Sequence, residues 1–242
     1  MGKIHSVFSG GTVDGPGIRF VVFTQGCPLR CKFCHNPDTW KIGAGEERSV
    51  DDLIKEIVRY KNYFGLNGGL TISGGEPLVQ LDFITELSKA AVKNGVNVAV
   101  DTSGYLFDET SPEKIKKFDE LNKYVDLYLL DIKHIDDDKH RMLTGVSNKH
   151  TLAFAKYLSE SGKKMWIRHV LVPGITDDDD ALIRLKEFVD TLKTVEKVEV
   201  LPYHTMGVPK YEKLGIDYPL KGVEPPSKER VMNAKRLLGI TK

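Results

Sequence analysis

The only cysteines in this 242-residue chain fall within eight positions, as Cys27-Pro-Leu-Arg-Cys31-Lys-Phe-Cys34. Such a Cys-x3-Cys-x2-Cys spacing brings three thiolates to one side of a short loop. Soft thiolate ligands favour zinc, Cu(I) or an iron–sulfur cluster. A structural zinc site takes four protein ligands, and the only candidate nearby for the fourth is His35. It directly follows Cys34, where strain opposes its reaching the same ion. A [4Fe–4S] cluster usually takes four cysteines. Here one iron would lack a protein thiolate, which leaves it open to a substrate. The bland alternatives are a disulfide with one thiol left over, or three core cysteines. An odd count argues against the first, and packing alone does not explain the clustering.

The rest of the chain reads as strands alternating with helices. Apolar runs rich in β-branched residues occur at Ile18–Thr24, Leu70–Ser73, Val96–Val100, Val125–Ile132, Met165–Val172 and Val195–Leu201. Between them, helical spacing is found at Val50–Tyr63, Leu78–Asn94, Ser111–Asn122, Lys149–Ser161 and Thr176–Leu192, with a short helix near Asp136–Leu143 and a terminal one at 227–238. Alternation of this kind predicts a parallel sheet in a single α/β domain spanning 1–242. Six units are too few for a closed eight-stranded barrel, so an open, partial TIM-like barrel is expected, with a doubly wound sheet as the alternative. Either way the C-terminal strand ends share one face, where active sites form.

The polar residues cluster at those strand ends. Ser73-Gly74-Gly75-Glu76 follows the second strand, where glycines either make a tight turn or bring peptide carbonyls close to a ligand. Asp101 and Asp131 each end an apolar run, where a carboxylate is costly without a partner. They either cap the next helix or face a pocket, with Lys133 compensating their charge. Arg168 is either half of a structural ion pair or a ligand contact, and His204 lies near the end of the last strand. The run Asp177–Asp180 has a simpler reading: Thr176 caps a helix and the aspartates sit at its positive end. Asp14-Gly15-Pro16-Gly17 reads as a turn before the first strand.

Taken together, these segments resemble a known family. The cysteine spacing, with aromatic Phe33 before the last cysteine, is similar to that of the radical S-adenosylmethionine enzymes. Thr12-Val-Asp-Gly-Pro-Gly-Ile-Arg19, His35-Asn-Pro-Asp-Thr-Trp40, Ser73-Gly-Gly-Glu76, Asp101-Thr-Ser-Gly104, Leu130-Asp-Ile-Lys133, Trp166-Ile-Arg168 and Leu201-Pro-Tyr-His204 resemble, in order, segments of the activases of the glycyl-radical enzyme pyruvate formate-lyase. The resemblance implies the partial barrel and a [4Fe–4S] cluster on Cys27, Cys31 and Cys34. It also implies S-adenosylmethionine chelating the open iron. That ligand would be held by Phe33, Cys34, His35, Gly74, Gly75, Glu76, Asp101, Asp131, Ile132, Lys133, Arg168 and His204. The two aspartates could also hold a monovalent cation. Asp14, Gly15 and Gly17 would meet the partner protein, pyruvate formate-lyase, and flavodoxin or ferredoxin would donate the electron. Three cysteines leave none for the extra cluster domain found in several other activases. The competing readings are an activase of another glycyl-radical protein, a radical enzyme acting on a small molecule, and a zinc-binding interaction module.

Composition adds bounds. Hydrophobic residues make up 40% and charged residues 29%, as in ordinary globular domains. The net charge of +1 gives no reason to expect nucleic acid as a partner. No apolar run reaches membrane-span length, and no apolar leader is evident at the N-terminus. A monomer in the reducing cytoplasm is expected.

Overall fold

In a computed structural model, which describes residues 1–240, the strands form one eight-stranded sheet. β1 (Gly2–Gly11) turns back into β2 (Arg19–Thr24), and β3 (Glu46–Arg48) precedes the first helix. β4 (Gly69–Gly74), β5 (Asn97–Thr102), β6 (Leu127–Asp131), β7 (Met165–Leu171) and β8 (Val195–Pro202) follow. Their order across the sheet is β3-β1-β2-β4-β5-β6-β7-β8. β2 and β4 to β8 are mutually parallel, as the six apolar runs predict. The sequence reading missed β1 and β3, which pair antiparallel and extend the sheet on one side. The sheet does not close, so the open partial barrel holds.

The helices are α1 (Val50–Arg59), α2 (Leu81–Lys93), α3 (Pro112–Asn122), α4 (Asp137–Thr144), α5 (Lys149–Glu160), α6 (Asp179–Asp190), α7 (Val208–Leu214) and α8 (Lys228–Leu237). Their ends follow local chemistry. Ser49 caps α1 by accepting from the Asp52 N–H at 3.0 Å, and Leu53 and Ile57, one turn apart, are buried. The helix stops at Arg59 rather than Tyr63, with a separate 3-10 turn at Lys61–Tyr63. α6 is capped by Asp178, not Thr176. The Thr176 hydroxyl is spent on the chain just after β7, donating to the Val170 carbonyl and accepting from the Val172 N–H. The unexpected α7 is only seven residues long and carries Pro209 in its first turn.

Strand alternation sorts the side chains into two sets. Leu70, Ile72, Val98, Val100, Tyr128, Leu130, Met165 and Ile167 face the helices and form the main core with residues such as Ile84, Leu87, Phe154 and Leu158. The intervening positions turn to the barrel interior. Ala99, Leu127, Leu129 and Trp166 make a small apolar cluster there, while Ser73, Asp101, Asp131 and Arg168 are polar and border a cavity. Register completes the arrangement: Asp131 lies beside Arg168, and Arg168 beside Glu199, across β6, β7 and β8.

Candidate active site

At the C-terminal strand ends lies a cavity of about 480 Å³, a size suited to a small-molecule ligand. All three cysteines border it, as do Asp101 and Asp131 at the ends of β5 and β6, Arg168 within β7, and Lys133 and His204 just after β6 and β8. Phe33, His35, Gly74, Gly75, Glu76 and Asp14 also reach it. Ile132 does not: its neighbours point inward, so strand alternation turns its side chain into the sheet–helix core. Gly15 and Gly17 lie off the cavity. Gly17 has φ of 69°, and a side chain on it would meet the Gly68 nitrogen at 2.5 Å, so close packing against the next turn explains that glycine.

The cysteine loop is fixed by its backbone. Gly26 and Cys27 donate to the Thr39 and Trp40 carbonyls, while Arg30 and Lys32 donate to Thr144 and Leu143 at the end of α4. Gly75 packs on the loop so tightly that a Cβ there would lie 2.5 Å from the Gly26 oxygen. From the far side, Lys210 on α7 bonds Asn36 Oδ1 at 2.7 Å and Asp38 at 3.0 Å. The three cysteines are free thiols, so the disulfide alternative falls away. Burial pushes Cys27 and Cys31 up to about 12; Glu76 adds to this at Cys27, and Lys133 opposes it at Cys31. Thiolates here therefore require a bound cationic partner.

The polar wall is largely paired. The Glu76 carboxylate is buried and occupied, taking the Ser103 N–H at 2.9 Å, the Leu78 N–H at 3.2 Å and the hydroxyls of Thr102 and Ser103. Its role is thus to clamp the turn after β5. The Lys133 ammonium lies 2.9 Å from Asp131 and over the Phe33 ring. Burial opposes its charge, but Asp131 and then Cys31 outweigh that effect and raise its pKa. Asp101 accepts from the Ser73 hydroxyl at 2.9 Å; burial lifts its pKa to about 6 against the pull of Arg168. The His204 ring stacks on His35 with centroids 4.0 Å apart. His204 Nδ1 is buried with no protein partner, leaving it available to a ligand.

These residues fit a cluster better than a single ion. Among the described residues, no three His, Cys, Asp or Glu side chains are grouped to hold one metal ion. Three thiols at one cavity, two buried and one half-buried, with no convergent fourth donor, suit a cluster in which each thiolate meets a separate iron and one iron is left open. Sequence reasoning missed the contributions of Ser73, Thr102 and Ser103, and of Lys210. The hydroxyl residues lie inside segments already singled out, while nothing local marks Lys210.

Comparison with known proteins agrees with this geometry. Residues 21–185 match the family described as the radical SAM superfamily. Over 237 residues the chain is 55% identical to the pyruvate formate-lyase-activating enzyme of Staphylococcus epidermidis, covering 97% of this chain and 94% of that protein. This chain is a member of the radical SAM superfamily. Among solved structures, a domain of the pyruvate-formate lyase-activating enzyme from Bacteroides vulgatus superposes with a TM-score of 0.58 at 25% identity, covering 71% of this chain and 93% of that one. Streptococcus suis SuiB bound to S-adenosylmethionine shares the fold, with a TM-score of 0.63 at 22% identity over 78% of this chain and 41% of that one. Radical SAM membership brings a [4Fe–4S] cluster and S-adenosylmethionine as cofactors, and the zinc-module alternative is set aside.

Proposed function

We propose that this chain activates pyruvate formate-lyase by placing a radical on one of its glycines. The observation that carries the reading is the meeting, at one cavity, of three thiols, two buried and one half-buried, with the charged residues of β5, β6 and β7. When bound, the cluster and S-adenosylmethionine supply a one-electron cleavage of the sulfonium to methionine and a 5′-deoxyadenosyl radical, which takes the glycine α-hydrogen. Cys27, Cys31 and Cys34 would hold three irons. Asp101 and the backbone of Gly74 and Gly75, which border the cavity, suit the ligand's amino group, and Lys133 suits its carboxylate. His204 Nδ1 and the Phe33–His35 segment frame the remainder. Asp101 and Asp131, both bordering the cavity, would hold a monovalent cation beside that carboxylate.

Asp14 is the residue we assign to the partner: it borders the cavity, and the neighbouring Val13 is 78% exposed. A low-potential donor such as flavodoxin or ferredoxin is required. The chain acts as a monomer and a single domain. Its three free thiols suit the cytoplasm, and among the described residues no helix is long and apolar enough to cross a membrane.

The test is anaerobic. Reconstituted, reduced protein is mixed with S-adenosylmethionine and pyruvate formate-lyase. A glycyl-radical signal on the partner, with one deoxyadenosine formed per radical, is expected. Deoxyadenosine released without any radical on the partner would refute the assignment.

A further inference from the structure

The Arg168 guanidinium touches three groups at once. Its Nε lies 3.0 Å from Glu199 Oε2, Nη1 faces Asp101 Oδ1 at 3.6 Å, and Nη2 donates to the Val13 carbonyl. The next carbonyl along the chain, that of Asp14, accepts from Thr71 Oγ1 at 2.7 Å. Thr71 is held in turn by Arg19 Nε at 2.9 Å. Two successive carbonyls of the segment between β1 and β2 are therefore gripped from inside the barrel by β4 and β7, strands with two others between them. The segment is a strap over the interior, fastened by its backbone, while the Val13 side chain stays free.

We infer that Arg168 is a positioning residue that couples the ligand end of the cavity, through Asp101, to the strap that meets the partner. The inference rests on the activase reading above. Of the three arms, the one to Asp101 exceeds hydrogen-bond distance, so it is the arm a ligand can exchange. A cationic group arriving at Asp101 competes with the guanidinium for that carboxylate. The arginine donors are then left to Glu199 and the Val13 carbonyl, and the strap is held more firmly. The linkage is reciprocal: a partner that fixes the strap fixes Arg168 and frees Asp101 for the ligand. A planar fork can face three groups in different directions, whereas a lysine ammonium is a point charge that cannot.

The test uses the reconstituted holoenzyme. S-adenosylmethionine affinity is read from the spectrum of the reduced cluster, with and without saturating pyruvate formate-lyase. In the wild type the partner should tighten ligand binding by about fivefold or more, the lower range of allosteric couplings. In Arg168→Lys the ratio should fall to within about twofold of unity. A purely structural arginine would lower both affinities and leave their ratio unchanged. Thr71→Val loosens the strap without touching the Asp101 arm. It should weaken partner binding about fivefold or more while ligand affinity measured alone stays at the wild-type value. A wild-type ratio of one, a wild-type ratio retained in Arg168→Lys, or normal partner affinity in Thr71→Val would overturn the inference. Failure of the activase reading would show separately, as wild-type enzyme that forms no glycyl radical.

Discussion

Phe154 and Cys31 are both shut away from water, yet different kinds of structure hold them. Phe154 projects from α5 into rings contributed by Phe107, Phe118 and Tyr128, at centroid distances between 5.2 and 5.6 Å across the group. Phe118 comes from α3 and Tyr128 from β6, while Phe107 comes from the loop between β5 and α3. Cys31 sits in a loop, beside Leu29, Phe33, Leu143, Val172, Tyr203 and Leu220, drawn from segments far apart in sequence. The first region is redundant, with many side chains sharing one task. The second has no spare part. Stability and chemistry are thereby separated in space, and changes in one region should leave the other largely intact.

The largest effect expected from breaking this division is in the loop. Cys31→Ala should abolish stable cluster incorporation and radical formation, because the chain holds no spare thiol. Its apo-protein melting curve should stay near wild type. Iron and sulfide analysis after anaerobic reconstitution checks the first point and circular dichroism the second. A full iron load would refute the ligand assignment. Phe154→Ala reverses the pattern. It should cost about 3–5 kcal/mol of stability, measured by denaturant unfolding, while the protein that remains folded takes up iron as the wild type does.

Two smaller effects probe the wall between the regions. Lys133→Ala should leave the cluster in place but weaken S-adenosylmethionine binding by about 1.5–3 kcal/mol, or one to two decades. Titration of the reduced cluster's resonance measures this, and wild-type affinity would remove Lys133 from the ligand site. Asp101 gives a pH dependence. Its pKa of about 6 lies above the ordinary aspartate value, chiefly through burial, so the folded state binds a proton more tightly than the unfolded chain. Between about pH 4 and 6 this group therefore makes the apo-protein less stable as pH rises, by up to about 1.4 kcal/mol per pH unit. Comparison with Asp101→Asn isolates the slope. Parallel stability profiles for the two proteins would show that the carboxyl is not strained by burial.

Much of this division could be read from the sequence. Six β-branched runs announced six strands, and the carboxylates ending two of them pointed to one face. β3 is Glu46-Glu-Arg48 and carries no apolar pattern to read. β1 lies between β2 and the short β3, and its partly exposed residues lack clean alternation. In the site, residue types were legible but their obligations were not. Glu76 looks like a ligand group in a glycine-rich turn, and only the fold shows both its oxygens committed to Thr102 and Ser103. The resemblance of Leu130-Asp-Ile-Lys133 implies a ligand role for Ile132, yet alternation turns its side chain into the core. The reach of Arg168 to Val13 spans 155 residues and leaves no local trace.

The attachment of the cysteine loop to α7 has a consequence for how the protein is made. Lys210 closes onto Asn36 across 174 positions, and His35 meets the His204 carbonyl across 169. Contacts of such separation are closed late, after the intervening chain has been ordered. During synthesis the cysteines leave the ribosome early, while the segment that braces their loop is among the last to appear. Iron loaded onto the nascent chain would meet thiols still lacking that brace. Cluster insertion is therefore expected to follow completion of the polypeptide, which makes delivery of iron and sulfide a step of maturation rather than of folding.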